Sequence, residues 1–166
     1  MKMIYKISKN IFTFVLFMLI LTACKTPTEK NINNTQSLAN NFEKKTLIIN
    51  SGNDVKHKLQ IYLAEEPYQQ RRGLMFVRNM PENTGMLFIY KRSGVHSMWM
   101  KNTYIPLDLI FVREDGLVSS IIYGAEPMSL KPHSSIEPIK YVLELNAGVA
   151  KKLTLNKKSR LILEDD

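Results

Sequence analysis

"LDLIFVREDGLVSSIIY", residues 107–123, decides how the chain folds. An apolar run from Leu107 to Val112 is followed by Asp115-Gly116 and then by a second run through Ile121 and Ile122. Asp-Gly between two such runs is a strong hairpin signal, because the glycine takes the positive φ that a tight turn demands. The stretch therefore predicts strands over 107–113 and 117–123. Along the first, Leu107, Leu109 and Phe111 share one face while Asp108, Ile110 and Val112 share the other. Both faces are apolar apart from Asp108, which predicts a central strand with a partly buried carboxyl group. Such a group is costly without partners. The nearest candidates in sequence are Lys101, Asn102 and Thr103, with Arg72 farther away.

Outward from this hairpin, 58–63, 85–90, 95–100, 140–145 and 160–164 also read as strands, from period-two or solid apolar runs. A short helix starts at Pro67, favoured at the first helical position, and stops at Gly73; another spans about 148–153. Many short strands with one or two short helices predict a mainly β (α+β) domain: a small curled antiparallel sheet, barrel- or sandwich-like.

The N-terminal segment has a different character. Lys2, Lys6 and Lys9 precede an apolar core over 11–21, too short to span the ~30 Å hydrocarbon layer as a helix, so 1–23 reads as a cleaved export signal. Leu21-Thr22-Ala23-Cys24 resembles the lipobox of bacterial lipoproteins, which implies that Cys24 is acylated and becomes the mature N-terminus. Cys24 is the only cysteine, so a disulfide or a Cys-rich metal site is excluded. Residues 24–45 are the lipidated end and a polar, flexible tether with a reach of about 25 Å; 46–166 form one domain. Removing 1–23 takes away three of the 23 basic residues and none of the 15 acidic ones, leaving +5. That balance favours an anionic membrane face or wall polymer. Nucleic acid is not expected as a partner, because the chain reads as exported, its charges are mixed in sign, and no basic block or RNA-binding aromatic motif occurs. The expected location is the cell envelope, lipid-anchored and extracytoplasmic, at the outer membrane in a Gram-negative cell.

Gly73-Leu74-Met75, Gly85-Met86-Leu87-Phe88, Trp99 to Thr103, Ile105-Pro106-Leu107-Asp108, Ala125-x-Pro127 and Tyr141 to Gly148 fall in the order and spacing of the DUF192 (UPF0127) family. The resemblance covers roughly 57–164. It implies a small, mainly β domain and brings no assigned activity. Two departures stand out: Val77 occupies the place of the family's usual Arg, with Arg78 one residue later, and Lys157-Lys158 replaces a late Gly-Asp turn.

Two readings of the polar groups near Asp108 are open. In one, Asp108 and Asn102 staple loops by bonding free backbone N–H groups. In the other, Trp99, Lys101, Asn102 and Asp108 line a polar-rimmed groove, joined by Arg72 and Glu144, which binds a cell-wall, glycan or protein partner. Trp99 then stacks on the ligand; alternatively it is core, packed on Met75 and Met86. A catalytic version uses Asp108 and Glu144 as acid and base of a hydrolase. A further alternative is copper: His96, Met98 and Met100 alternate on one strand, and imidazole with thioethers suits Cu(I). His57, His96 and His133 are too dispersed for zinc. No cofactor is expected.

Overall fold

The computed structural model describes residues 37–53 and 55–163. The export signal, Cys24 and most of the tether lie outside them. Nine strands are present among the described residues: β1 (Lys44–Asn50), β2 (Lys56–Ala64), β3 (Thr84–Gly94), β4 (Ser97–Met98), β5 (Leu107–Val112), β6 (Val118–Ala125), β7 (His133–Ser134), β8 (Ile139–Asn146) and β9 (Arg160–Leu163). Two short helices, α1 (Pro67–Arg72) and α2 (Val149–Lys152), and a helical turn at 37–39 complete the described elements. The fold is mainly β, as the strand pattern predicts.

Seven strands form one sheet in the order β6-β5-β8-β3-β2-β1-β9, and β4 pairs with β7 in a separate two-stranded ribbon. The hairpin at Asp115-Gly116 joins β5 to β6, with Gly116 at φ 81° and the Asp115 carboxyl accepting from the Leu117 N–H at 3.0 Å. Two features differ from expectation. The sheet is mixed, because β2 and β3 run parallel through the α1 crossover; a parallel pair needs a crossover of about a dozen residues or more, and 65–83 supply one. The sheet also curls without closing into a barrel, since among the described residues its edges meet only at the isolated Leu117–Arg160 bridge.

Both faces of the sheet are covered, and all six residues of β5 are buried. One face gathers Leu47, Ile49, Ile61, Leu87, Ile110, Val112, Leu143 and Leu145, closed by Val149 and Ala150 of α2. The other gathers Tyr62, Met86, Phe88, Leu109 and Phe111 under Leu74, Val77, Met98 and Met100 from irregular segments. Leu38 and Phe42 join this second cluster, at 4% and 5% exposure. The folded part therefore begins before residue 46. The polar composition of 25–45 hides two apolar anchors, and the tether reading is corrected over 37–45.

Candidate functional site

Asp108 is fully buried, and its carboxyl group is satisfied by main-chain donors. One oxygen accepts from the Gly124 N–H at 2.9 Å; the other accepts from the N–H groups of Gly148 at 2.9 Å and Ala150 at 3.0 Å. Gly124 and Gly148 hold positive φ values of 61° and 90°, a conformation glycine adopts without a Cβ clash. Asp108 thus ties the end of β6 and the first turn of α2 to the central strand, where orphan N–H groups need an acceptor. It is a structural staple, and the groove centred on it is corrected.

Asn102 is likewise a staple. It sits at φ 56°, its carbonyl accepts from the Phe76 N–H at 2.8 Å, and its side-chain amide lies 3.9 Å from the Met75 sulfur.

The acid–base pairing of Asp108 with Glu144 is excluded by register. Across β5 and β8, Asp108 is opposite Leu145 and Glu144 is opposite Leu109. Side chains of opposed residues lie on one face, so the two carboxyl groups project from opposite faces of the sheet.

Glu144 behaves differently from Asp108. It lies in the middle of β8, opposite Met86 on one side and Leu109 on the other, and is 4% exposed. Among the described residues no donor reaches its carboxyl group. Burial alone pushes its pKa up to about 8, because a low-dielectric setting disfavours the charged form. Tyr90 stands close enough that burial and then the Glu144 charge raise its phenol to about 12; its hydroxyl donates to the Met98 sulfur at 3.4 Å.

A recess of about 30 Å³ borders Glu144, and Arg71, Arg72, Met75, Trp99, Lys101 and Thr103 are among its walls. That volume admits a water or two, since one water needs roughly 10–15 Å³ of it. It fits a hydroxyl or similar small group of a ligand whose bulk stays outside. Larger clefts lie away from this acid. One of about 350 Å³ runs beside Lys56, His57 and Val149, where Lys152 and Glu82 already pair at 2.7 Å; another of about 190 Å³ opens between the sheet's edges.

Four of the expected groove residues therefore meet at one place: Trp99, Lys101, Arg72 and Glu144. Trp99 is 52% exposed, which removes the core reading, and the Lys101 ammonium lies 5.2 Å from its ring centre. The Arg72 guanidinium donates to the Met75 carbonyl and lies 5.0 Å from the Phe76 ring. Gln70 and Arg71 also line the recess and escape sequence reasoning, and Thr103, expected as a partner of Asp108, lines it instead. Only the Gly-Leu-Met run after α1 hints that this crossover covers the sheet.

His96, Met98 and Met100 do share the inward side of their segment, but each is committed to packing. His96 stacks on Tyr90 at 3.6 Å, Met98 receives the Tyr90 hydroxyl, and Met100 is 1% exposed. Among the described residues no cluster of three or more His, Cys, Asp or Glu could hold a metal. No described helix is long and apolar enough to cross a membrane.

The DUF192 family model, described as "Uncharacterized ACR", matches residues 47–163. A crystal structure of a Sinorhizobium meliloti protein, provisionally named a transcription regulator, is similar at a TM-score of 0.72 and 39% identity, over 74% of this chain and 95% of that one. A crystal structure of a Novosphingobium aromaticivorans protein of unknown function is similar at 0.70 and 30% identity, over 73% and 86%. No curated protein matches the chain.

Proposed function

The chain belongs to the DUF192 family, and from that premise, which carries no activity with it, we propose a membrane-anchored, extracytoplasmic binding domain whose site is the recess at Glu144. The observation that carries this reading is a carboxyl group at 4% exposure, with no hydrogen-bond partner among the described residues, beside an open recess. In a purely structural role such a group is a liability, since an apolar residue of the same size would be more stable there. At neutral pH Glu144 is protonated and can both donate and accept a hydrogen bond. A ligand hydroxyl entering the recess meets it directly. Lys101 at the mouth then meets an anionic substituent, and the Trp99 ring offers an apolar wall for a sugar or similar ring. An acidic glycan or polyol phosphate of the cell wall has this chemistry. Anchoring through Cys24, proposed from the lipobox resemblance, keeps the domain at the envelope where such polymers are found.

The test is a ligand screen by thermal shift and NMR with the chain from residue 25, against uronic-acid sugars, glycerol phosphate and wall fragments. Glu144→Leu and Lys101→Ala should weaken any hit by about tenfold or more, the size of one lost hydrogen bond or charge contact. Hits indifferent to both substitutions exclude this recess. The anchor is tested separately, by the mass of diacylated Cys24 in the membrane fraction.

A further inference from the structure

We propose that the β4–β7 ribbon is a membrane-docking surface that inserts between the headgroups of an anionic bilayer. Residues alternate along 95–101, so that Met98 and Met100 point inward while Val95, Trp99 and Lys101 are exposed. On the facing segment Leu130 and Ile136 are exposed in the same way. The two segments are tied by the Ser97–Ser134 and Met98–His133 pairs, by a 2.7 Å contact between the Ser97 and Ser134 hydroxyls, and by the Ser135 N–H donating to the His96 carbonyl at 2.9 Å. Extending that register sets Val95 against Ile136.

The result is a two-stranded ribbon whose outward side carries apolar residues at 65% (Val95), 52% (Trp99), 66% (Leu130) and 71% (Ile136) exposure. Single exposed apolar residues need no explanation, but four on one side of a ribbon, Val95 and Ile136 on one flank of the Ser97–Ser134 pair and Trp99 and Leu130 on the other, mark an interaction surface.

Charge commits the surface to a bilayer: residues 91–101 and 126–136 carry Lys91, Arg92, Lys101 and Lys131 against Glu126, with Glu137 one residue beyond. Basic residues around a Trp and aliphatic tips are what an anionic interface attracts and what sits at headgroup depth. Docked in this way, the mouth of the Glu144 recess, which shares Trp99 and Lys101 with the ribbon, lies at the level of the headgroups.

Trp99 is the only tryptophan in the chain, so its fluorescence reports the ribbon alone. The chain from residue 25, which lacks the acyl chains, is titrated with vesicles of phosphatidylglycerol and phosphatidylethanolamine in about equal parts. The emission should shift to the blue, be quenched by brominated lipid, and return to its free value as salt is raised. Leu130→Ser with Ile136→Ser, both at exposed positions, should cut vesicle binding by about tenfold or more with an unchanged melting temperature. An emission that ignores the vesicles overturns the proposal and leaves the Cys24 anchor standing. A blue shift that grows with protein concentration in the absence of lipid, together with a dimeric mass, overturns it in favour of a second copy on the ribbon.

Discussion

Replacing Glu144 with Gln should abolish most of the pH dependence of stability between pH 5 and 8. The folded protein holds the Glu144 proton up to about pH 8, whereas the unfolded chain releases it above its ordinary value of 4.5. The stability associated with this group is therefore complete below pH 4.5, falls as pH rises toward 8, and is flat above. The slope approaches about 1.4 kcal/mol per pH unit, and the full interval amounts to at most about 5 kcal/mol. Water entering the recess relieves part of the burial, so a loss of about 2–4 kcal/mol between pH 5 and 8 is the expected figure. With a urea slope of roughly 1.5 kcal/mol per molar, the wild-type midpoint should drop by about 1.3–2.7 M over that interval. Gln is close to the protonated acid in shape and cannot ionise. Its midpoint should match the wild type at pH 5 and exceed it at pH 8. Parallel pH profiles for the two proteins would refute the reasoning, since Glu144 would then be ionised and satisfied in the fold.

Other consequences are open to direct test. Asp108→Ala leaves the N–H groups of Gly124, Gly148 and Ala150 without an acceptor and should cost about 3–5 kcal/mol in urea unfolding. Gly148→Ala forces a Cβ into φ 90° and should cost about 1–2 kcal/mol while leaving ligand binding unchanged. Glu144→Leu should raise the melting temperature at pH 8 and weaken ligand binding by about tenfold or more, a separation that a staple could not produce. Phe42→Ala, at a position 5% exposed, should cost about 3 kcal/mol; a negligible loss would restore 37–45 to the tether.

Strand propensity and turn chemistry are local, and they made most of the sheet legible. The Asp115-Gly116 hairpin, the α1 start at Pro67 and its stop at Gly73 all follow from residues within a few positions of each other. β1 was harder to see, because Lys44–Asn50 offers only three apolar residues in a row and is held by β2 and β9, one of them more than a hundred residues away. The parallel β2–β3 pair hid for the same reason: strand direction depends on the path of the α1 crossover, which periodicity does not encode.

The site was half legible. A lone acid in an apolar strand marks a buried carboxyl group, and both Asp108 and Glu144 carry that mark. Which of them is satisfied depends on donors 16 to 42 residues distant in sequence, and on a register that sends the two side chains to opposite faces. The apolar alternation along 107–112 pointed to Asp108, the more conspicuous of the pair. Gly148, whose N–H meets Asp108, lies 40 residues along the chain, so nothing local showed that this acid was already occupied.

The most direct measurement is the carboxyl-carbon chemical shift of Glu144 followed by NMR against pH, with and without the best ligand from the screen. The account predicts a midpoint near 8 in the free protein and a displaced midpoint when ligand fills the recess. A midpoint in the ordinary Glu range, near 4.5, or one that the ligand leaves in place, would contradict it.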